Sequence, residues 1–334
     1  MNLTEIKYCP ATLSEGFQTY SRTALNRMFK GKKVHHVLPY DSPSSNTETD
    51  KLFENNQKHL SLSGVQEKFS VLLEKNKLRL INEEEHGTYI LKPIPNAGKK
   101  ADQMPANEHL TMQIARQIFG IETAESALIF FKNGDPAYIT KRFDVKEDGT
   151  KWAQEDFASL AGRTPQTHGT HYKYLGNYSE LFDLMKQYLP LYKLEAPRLL
   201  KILIFNYLFL NGDAHLKNFS LLESETGDYL LSPAYDLINT RLHVDDTDFA
   251  LDKGLFEDNY QSETFKKTFH RGKQDFEEFA KRIGVSENRI EKLLEPFLMK
   301  QKTVESLVNS SFLNTPNKRG YLMDYSSRRN LLIK

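Results

Sequence analysis

The chain has 334 residues, of which 45 are Lys or Arg and 44 are Asp or Glu. This length predicts two lobes or domains rather than one small core. The balanced charge argues against a protein whose main task is electrostatic binding of nucleic acid or of an anionic membrane. With Cys9 as its single cysteine, the chain can form neither an internal disulfide nor a Cys-rich zinc site, as expected in a reducing compartment.

Strand patterns dominate the first half of the chain. FSVLLEKNKLRLI has two runs of β-forming residues on either side of a polar turn at Lys75 and Asn76. A short run, TYILKPI, follows, and SALIFFKNGDPAYITKRF predicts a second hairpin around residues 133–135. Together these runs predict an antiparallel sheet of about five strands.

Helical patterns interrupt this sheet once and then take over. The first, at residues 105–119, ends near Gly120 as a C-terminal cap. The later ones are SELFDLMKQYL, PRLLKILIFNYLFL, QDFEEFAKRI and SENRIEKLLEPFLMKQKTVESLVNS, whereas GRTPQTHGTHYKYLGNY is typical of an exposed loop. We therefore predict a β-rich lobe at residues 1–146 and a mainly helical lobe at residues 147–334.

Neither the N-terminus nor the most apolar run predicts contact with a membrane. MNLTEIKYCPATLSEGF lacks the apolar core of a signal peptide, and the run from Leu199 to Leu210 is too short to cross a bilayer. We expect a soluble, cytoplasmic protein.

The stretch NGDAHLKNFS, residues 211–220, is the strongest candidate for chemistry. It follows the apolar run and precedes two probable strands, so both ends of the loop are held. One interpretation is a polar turn that caps a core helix. The other is a phosphoryl-transfer loop, because Asp213 and Asn218 have the spacing of the catalytic Asp and the metal-binding Asn of kinases. Asp236 in SPAYDLINT would then supply the second metal ligand.

A kinase would also need a lysine for the ATP phosphates and a glutamate that holds it. Lys92 ends the TYILKPI strand, and Glu108 lies in the following helix. Periodicity does not decide whether they meet, because apolar stripes flank Glu108 on both sides of the helix. The loop SLSGVQEKFS could cradle phosphate with its backbone amides around residues 63–66 and with Lys68, or it could be an ordinary loop that enters a strand.

Several short motifs together resemble the HipA-like kinases: SLSGVQEK, ILKP, ANEHL, KRFD, EDFASLAGR, KYLGNY, NGDAHLKNFS and SPAYD. Any one of them is weak, but they occur in the family's order over about residues 60–240. The resemblance implies an α+β, two-lobed protein-kinase-like fold with an antiparallel-sheet N-lobe and a mainly helical C-lobe. It also implies a bacterial Ser/Thr protein kinase that acts as the toxin of a toxin-antitoxin pair and uses ATP and Mg²⁺.

The resemblance also implies roles for individual residues. Asp213 resembles the catalytic base, Asn218 and Asp236 the Mg²⁺ ligands, and Lys92, held by Glu108, the phosphate-binding lysine. The other nucleotide-binding residues implied in the ATP-covering loop (61–68), the hinge and the catalytic loop (211–220) are Ser63, Gly64, Val65, Gln66, Glu67, Lys68, Lys141, Arg142, Phe143, His215, Lys217 and Tyr235. The hinge would contact adenine through its backbone, so Lys141, which replaces the usual Glu, should not abolish that contact.

Regulation and partners are implied in the same way. Ser61, with Ser63 as a second candidate, lies where the family phosphorylates itself to inactivate the kinase, and phosphate there would repel the ATP phosphates. Characterised family members phosphorylate aminoacyl-tRNA synthetases, and their antitoxins are helix-turn-helix proteins that bring DNA near only indirectly. Larger members carry a longer N-terminal subdomain. The chain resembles the short branch called HipT, in which a separate small protein can supply the missing segment.

Three other functions compete with a protein kinase. NGDAHLKN also resembles the loop of aminoglycoside and choline phosphotransferases, which would make the chain a small-molecule kinase. The single glycine of SLSGVQEKFS permits a partner-binding module that keeps only a kinase shape. A metal-dependent phosphohydrolase that uses Asp213, His215 and Asp236 would leave Lys92 and Glu108 unexplained.

Overall fold

The computed structural model describes residues 6–43, 67–82, 85–96 and 98–334. The chain divides into two compact units. The first comprises Met1–Ile114, Ala124–Thr150 and Val304–Lys318, and the second comprises Ala115–Thr123, Lys151–Thr303 and Arg319–Lys334. The lobes drawn from the sequence, 1–146 and 147–334, stay a prediction.

The first unit contains the predicted antiparallel sheet. Its strands are β1 (Phe69–Glu74), β2 (Lys77–Leu80), β3 (Tyr89–Lys92), β4 (Ser126–Phe130) and β5 (Pro136–Lys141). They lie in the order β2-β1-β3-β5-β4, and each neighbouring pair is antiparallel. Both predicted hairpins are present. Lys75 allows the first tight turn by taking the left-handed conformation, with φ 55°.

A helix that the sequence did not predict, α1 (Arg22–Phe29), packs on this sheet. Ser21 caps its start by accepting the Ala24 N–H, and Lys30 ends it in the left-handed conformation with φ 52°. The hydroxyl of Tyr89 in β3 donates to the Met28 carbonyl at 2.7 Å. With eight residues and a single apolar turn, α1 is too short for periodicity to reveal.

The predicted helix at residues 105–119 is α2 (Met104–Gln117). Gly120, expected to end it, has φ 57°. The apolar side chains on both flanks of Glu108 are buried, which explains why the sequence showed two competing stripes: Leu110, Met112, Ile114 and Ala115.

The second unit is mainly helical and holds a small antiparallel sheet. The sheet has the order β6-β7-β8, formed by Gln154–Asp156, Ser220–Glu223 and Tyr229–Leu231. The helices that follow α2 along the chain are α3 (Phe157–Leu160), α4 (Pro165–His168), α5 (Tyr178–Tyr188), α6 (Tyr192–Leu208), α7 (Glu263–Thr268), α8 (Lys273–Arg282), α9 (Glu287–Leu298), α10 (Lys302–Ser310) and α11 (Thr315–Leu332). Of these, α10 from Val304 onward and α11 up to Lys318 belong to the first unit.

Two helical segments, each of which contains a proline, differ from the prediction. Helix α6 begins at Tyr192, five residues before Pro197, at which the predicted segment starts. Pro197 has no N–H for the carbonyl four residues earlier, but that carbonyl, on Lys193, accepts from the Arg289 guanidinium at 3.2 Å instead. The long final segment of the prediction is two helices, α9 and α10, and Pro296 lies near the end of the first. No helix in the described part of the chain is long and apolar enough to cross a membrane.

Buried His109 on α2 makes the first unit sensitive to acid. Its Nε2 donates to the Ala11 carbonyl at 3.1 Å, and within the described ranges Nδ1 has no hydrogen-bond partner. Burial lowers the pKa of His109 from its usual 6.5 to about 4. The imidazole is therefore neutral in the folded chain, and acid protonates the unfolded chain first.

We predict that this histidine reduces the free energy of unfolding by about 2 kcal/mol between about pH 7.5 and about pH 5. The loss begins as pH falls through 6.5 and ends near 4, the two pKa values of the group. In His109→Gln, whose amide can donate to the same carbonyl, that part of the pH dependence should disappear from denaturant titrations. Identical pH dependence in the two proteins would contradict a buried, neutral His109.

Candidate active site

The candidate catalytic loop is anchored to the end of buried helix α6. Leu210 reverses the chain in the left-handed conformation, with φ 54°. The Asn211 side chain then donates to Asn206 Oδ1 at 2.9 Å and to the Asp236 carbonyl at 3.2 Å. Because Asn206 belongs to α6, this one amide joins the helix, the loop and the segment after β8.

A second set of hydrogen bonds fixes the loop to residue 240 and to α5. The Gly212 N–H donates to Thr240 Oγ1 at 2.9 Å, and that hydroxyl donates to the Leu210 carbonyl at 2.9 Å. The Tyr178 hydroxyl donates to the Ala214 carbonyl at 2.7 Å. Side chains that are themselves packed thus satisfy the polar backbone of this buried turn.

The Asp213 carboxylate is exposed, and one of its oxygens is engaged. Oδ1 accepts a hydrogen bond from the Tyr174 hydroxyl at 2.8 Å. Burial of its remaining surface by surrounding atoms raises the pKa of Asp213, and the Tyr174 hydrogen bond and the Lys173 charge oppose this effect. The negative charges of Asp246 and Asp236 raise the pKa further. The group is a base of increased proton affinity, and among the described residues only its Oδ1 accepts a hydrogen bond.

Asn218 and Asp236 lie side by side. A phosphoryl-transfer loop would need this proximity for two ligands of one metal ion. Asn218 Nδ2 donates to Asp236 Oδ2 at 3.2 Å, while Asn218 Oδ1 accepts the His215 N–H at 3.1 Å. Asp236 has φ 56°, a conformation that non-glycine residues adopt at a cost and that is common at functional sites. Both side chains carry oxygens of the kind that Mg²⁺ prefers.

The remaining predicted residues of this loop lie around the same pair. The Tyr235 hydroxyl donates to the Lys217 carbonyl at 2.9 Å, and burial raises the pKa of that phenol. Lys217 Nζ donates to Asp156 Oδ2 at 2.6 Å. Burial lowers the pKa of Lys217, but this ion pair outweighs it, and the pKa is raised overall. The His215 ring lies edge-on to Tyr174, with 5.2 Å between the ring centroids.

The first unit contains the predicted lysine and glutamate as a buried pair. Lys92 Nζ lies 2.6 Å from Glu108 Oε1, and the two residues are 4% and 3% exposed. The ammonium also lies over the Tyr138 ring, 5.3 Å from its centroid. Burying either charge alone would be costly, so each of the two side chains depends on the other for its place in the core.

The structure describes only the end of the predicted ATP-covering loop, residues 61–68. Ser61, Ser63, Gly64, Val65 and Gln66 lie outside the described residues. Glu67 and Lys68 are half-buried, and Glu67 Oε1 accepts from Asn96 Nδ2 at 3.4 Å. Glu67, Pro93 and Asn96 line one side of a small open cavity of about 170 Å³.

The predicted hinge continues from β5, and its backbone is partly engaged. The Lys141 N–H donates to the Glu125 carbonyl at 2.8 Å, and the Arg142 N–H donates to the Thr88 carbonyl at 2.9 Å. The Arg142 guanidinium pairs with Asp144, with Nε 2.9 Å from Oδ1. A backbone contact to adenine from residues 141–143 would therefore have to come from a group other than these two N–H groups.

Two groups beside Asp213 were missed at the sequence level. Tyr174 lies in the segment interpreted as an exposed loop, and only the motif KYLGNY could have singled it out. Asp246 packs against the loop at Gly212, which has no side chain. A Cβ on Gly212 would lie 2.5 Å from Asp246 Cγ and 2.6 Å from the Thr247 carbonyl oxygen. Gly212 is thus required by this close approach.

Comparison with known sequences decides the family. Residues 60–305 match the HipA-like C-terminal domain. The chain belongs to this family. A Haemophilus influenzae relative is 25% identical over 99% of this chain and 98% of its own length. Two Sinorhizobium fredii relatives are 31% and 32% identical, but this chain covers only 54% and 44% of their lengths. All three carry the name "Putative kinase", so a kinase-like function is supported.

Two solved structures have the same fold. Shewanella oneidensis HipA, solved with HipB and operator DNA, superimposes with a TM-score of 0.60 at 17% identity, over 87% of this chain and 72% of the other. The Helicobacter pylori proinflammatory kinase CtkA gives 0.52 at 16% identity, over 78% of this chain and 93% of the other. These likenesses confirm the predicted fold class, a kinase-like fold with an antiparallel sheet and a helical part.

The buried pair in this HipA-like chain predicts a specific pattern of stability losses. Lys92→Met or Glu108→Met alone should lower the free energy of unfolding by about 3–5 kcal/mol, because each leaves an unpaired buried charge. The double variant, with two apolar side chains of similar length, should lose less than either single variant. Denaturant titration measures all three.

The matched control is the exposed pair Lys266 and Glu263, whose side chains are 54% and 68% exposed. Lys266→Met should cost less than about 1 kcal/mol. Additive losses in the double variant of Lys92 and Glu108 would show that the pair is not coupled as the geometry requires.

Proposed function

We propose that this HipA-like chain is an ATP-dependent Ser/Thr protein kinase that acts as a toxin. The observation that carries the proposal is the arrangement of Asp213, Asn218 and Asp236 on one rigid loop system. The exposed carboxylate of Asp213 is distinct from the oxygen ligands of Asn218 and Asp236, which lie next to each other. Phosphoryl transfer needs both parts, a base for the acceptor hydroxyl and separate ligands for the metal.

Asp213 is the proposed base. Its open oxygen orients the hydroxyl of a Ser or Thr and accepts the hydroxyl proton as the hydroxyl oxygen bonds to the γ-phosphorus of ATP. The bond from that phosphorus to the β,γ-bridging oxygen breaks, and ADP leaves. The raised pKa of Asp213 increases its affinity for that proton. The carboxylate must still be ionised before reaction, so the rate should fall as pH decreases through this pKa.

Asn218 and Asp236 fit Mg²⁺. Among the described residues no three His, Cys, Asp or Glu side chains gather into a metal site, whereas Mg²⁺ commonly uses one or two protein oxygens and completes its shell with phosphate and water. The excess negative charge that raises the pKa of Asp213 also favours a cation nearby. When bound, the metal would neutralise charge on the phosphates.

Lys92 is the proposed ligand of the ATP phosphates, and Glu108 keeps it extended and charged. Lys92 Nζ donates to Glu108 Oε1 at 2.6 Å. The other residues that we propose to contact nucleotide are Ser63, Gly64, Val65, Gln66, Glu67, Lys68, Lys141, Arg142, Phe143, His215, Lys217 and Tyr235. We propose that they act in a protein of two lobes, residues 1–146 and 147–334.

The proposed substrate is an aminoacyl-tRNA synthetase, whose phosphorylation would stop translation. Autophosphorylation at Ser61 or Ser63 would inhibit the kinase by placing negative charge beside the ATP phosphates. The solved Shewanella protein is bound to its partner HipB, which supports a helix-turn-helix antitoxin as a partner here as well. As in the HipT branch, a separate small N-terminal subdomain protein is a further proposed partner.

Incubation of the purified chain with Mg²⁺ and radiolabelled ATP tests the activity. We expect phosphate on Ser61 or Ser63, identified by peptide mass spectrometry, and its loss by at least about a thousandfold in Asp213→Asn. The matched control is Asp183→Asn on α5, an exposed aspartate whose ion-pair partner in the described part of the second unit is Lys186. It should label like the wild type.

Two outcomes would overturn the assignment. Undiminished labelling of Asp213→Asn would remove Asp213 from the reaction. Transfer to a small alcohol such as an aminoglycoside, with no labelled protein, would make the chain a small-molecule kinase instead. Transfer to purified aminoacyl-tRNA synthetases, assayed one by one, then identifies the substrate.

A further inference from the structure

Within the described part of the second unit, the side chain that donates a hydrogen bond to the Asp213 carboxylate is that of Tyr174. It ends a single turn of 3-10 helix, Tyr172–Tyr174, and its hydroxyl donates to Asp213 Oδ1 at 2.8 Å. We propose that Tyr174 is a positioning residue that holds one carboxylate oxygen, so that the other faces the acceptor hydroxyl. This inference rests on the proposed kinase function.

The backbone around Tyr174 is tied to a neighbouring loop. The Tyr174 carbonyl accepts the Asp252 N–H at 2.9 Å, and Asp252 Oδ1 accepts the Gly176 N–H at 2.7 Å. The Gly176 carbonyl accepts the Lys253 N–H at 3.0 Å. Three hydrogen bonds within three residues leave this segment little freedom to move the phenol.

An ion pair also braces the same segment. Arg163 Nη1 donates to the Leu175 carbonyl at 2.8 Å, and Nη2 binds both oxygens of Glu180 at 2.6 and 2.8 Å. Gly176 has φ 96°, and a Cβ there would lie 2.5 Å from Glu180 Oε2. The sequence KYLGNY therefore forms a fixed support, although its polarity is that of a surface loop.

The chemistry of the contact suits positioning. A phenol that donates to a carboxylate makes a charge-assisted hydrogen bond, which is short and directional. Burial and the charge of Asp213 raise the pKa of Tyr174, so the phenol keeps its proton at neutral pH. The charged groups around the carboxylate are Lys173, Asp246 and Asp236, and the hydrogen bond from Tyr174 opposes the rise in the Asp213 pKa that burial causes.

A competing interpretation is that Tyr174 occupies the place of the acceptor. Its oxygen lies within the distance at which a general base takes a proton from a hydroxyl, and a blocking residue would show the same geometry. The kinetic effects of the two roles are opposite. Removing a positioning hydroxyl slows transfer, whereas removing a blocking hydroxyl accelerates it or lowers the KM for the acceptor.

Tyr174→Phe in the full chain separates these roles. We expect kcat for phosphoryl transfer to fall by about tenfold to a hundredfold, the effect of one hydrogen bond to a charged group, with a change in the KM for ATP below about twofold. The acid limb of kcat against pH should move to higher pH, because the carboxylate loses a hydrogen bond that favours its charged form.

Tyr178→Phe is the matched structural control. Its hydroxyl binds the backbone of the same loop at Ala214 and not the carboxylate. It should lower Tm without moving the acid limb. Faster transfer, or an unchanged kcat and acid limb in Tyr174→Phe, would overturn the positioning role.

A titration of Asp213 by carboxyl ¹³C NMR keeps this inference distinct from the proposed function. If Tyr174 positions Asp213, the pKa of that carboxyl rises in Tyr174→Phe and stays unchanged in Tyr178→Phe. An unchanged titration contradicts the Tyr174 contact whatever the activity. Absence of transfer by the wild-type chain, with the titration shifted as expected, contradicts only the kinase assignment.

Discussion

The candidate site of the second unit depends on the amide of Asn211. This side chain joins Asn206 at the end of α6 to the backbone of Asp236. It thereby links an apolar helix to the loop of Asp213 and to the segment of Asp236. The apolar run before the loop thus fills the core and also positions the loop. Twelve of the residues of α6 are buried, so the helix end cannot shift without exposing them. The loop inherits this rigidity and holds Asp213 in one position.

Like charges make the site costly to assemble. Asp246 and Asp236 both raise the pKa of Asp213, and Asp246 fills the space that Gly212 leaves open. Such repulsion opposes folding and is found where a cation or a proton is to be bound. Lys92 and Glu108 of the first unit differ from this site, because they are buried charges of opposite sign that neutralise each other directly. Both arrangements reduce stability relative to an apolar core, and the proposed function would account for that cost.

The sequence predicted the parts of the molecule that local pattern determines. The hairpins β1–β2 and β4–β5 follow from alternating residues and turn chemistry. The roles of Lys92, Glu108, Asp213, Asn218 and Asp236 come instead from their order along the chain and from the requirements of phosphoryl transfer, and these roles stay a proposal. Tyr174 could not be found in this way, because its role depends on a contact across 39 residues. Helix α1 was missed because it is short, and α6 begins earlier than predicted because a distant arginine compensates for Pro197. Tertiary contacts determine the position of Tyr174, the formation of α1 and the start of α6.

Calorimetric titration with ATP, with and without Mg²⁺, tests most directly whether Asn218 and Asp236 form a nucleotide-metal site. The wild-type chain should bind ATP more tightly with Mg²⁺ than without it. Asp236→Asn should abolish most of this gain, by about tenfold or more, since it removes the one charged ligand of the pair. Asp183→Asn, on the exposed face of α5, should keep the gain. Equal Mg²⁺-dependent affinity in the wild type and in Asp236→Asn would contradict the account.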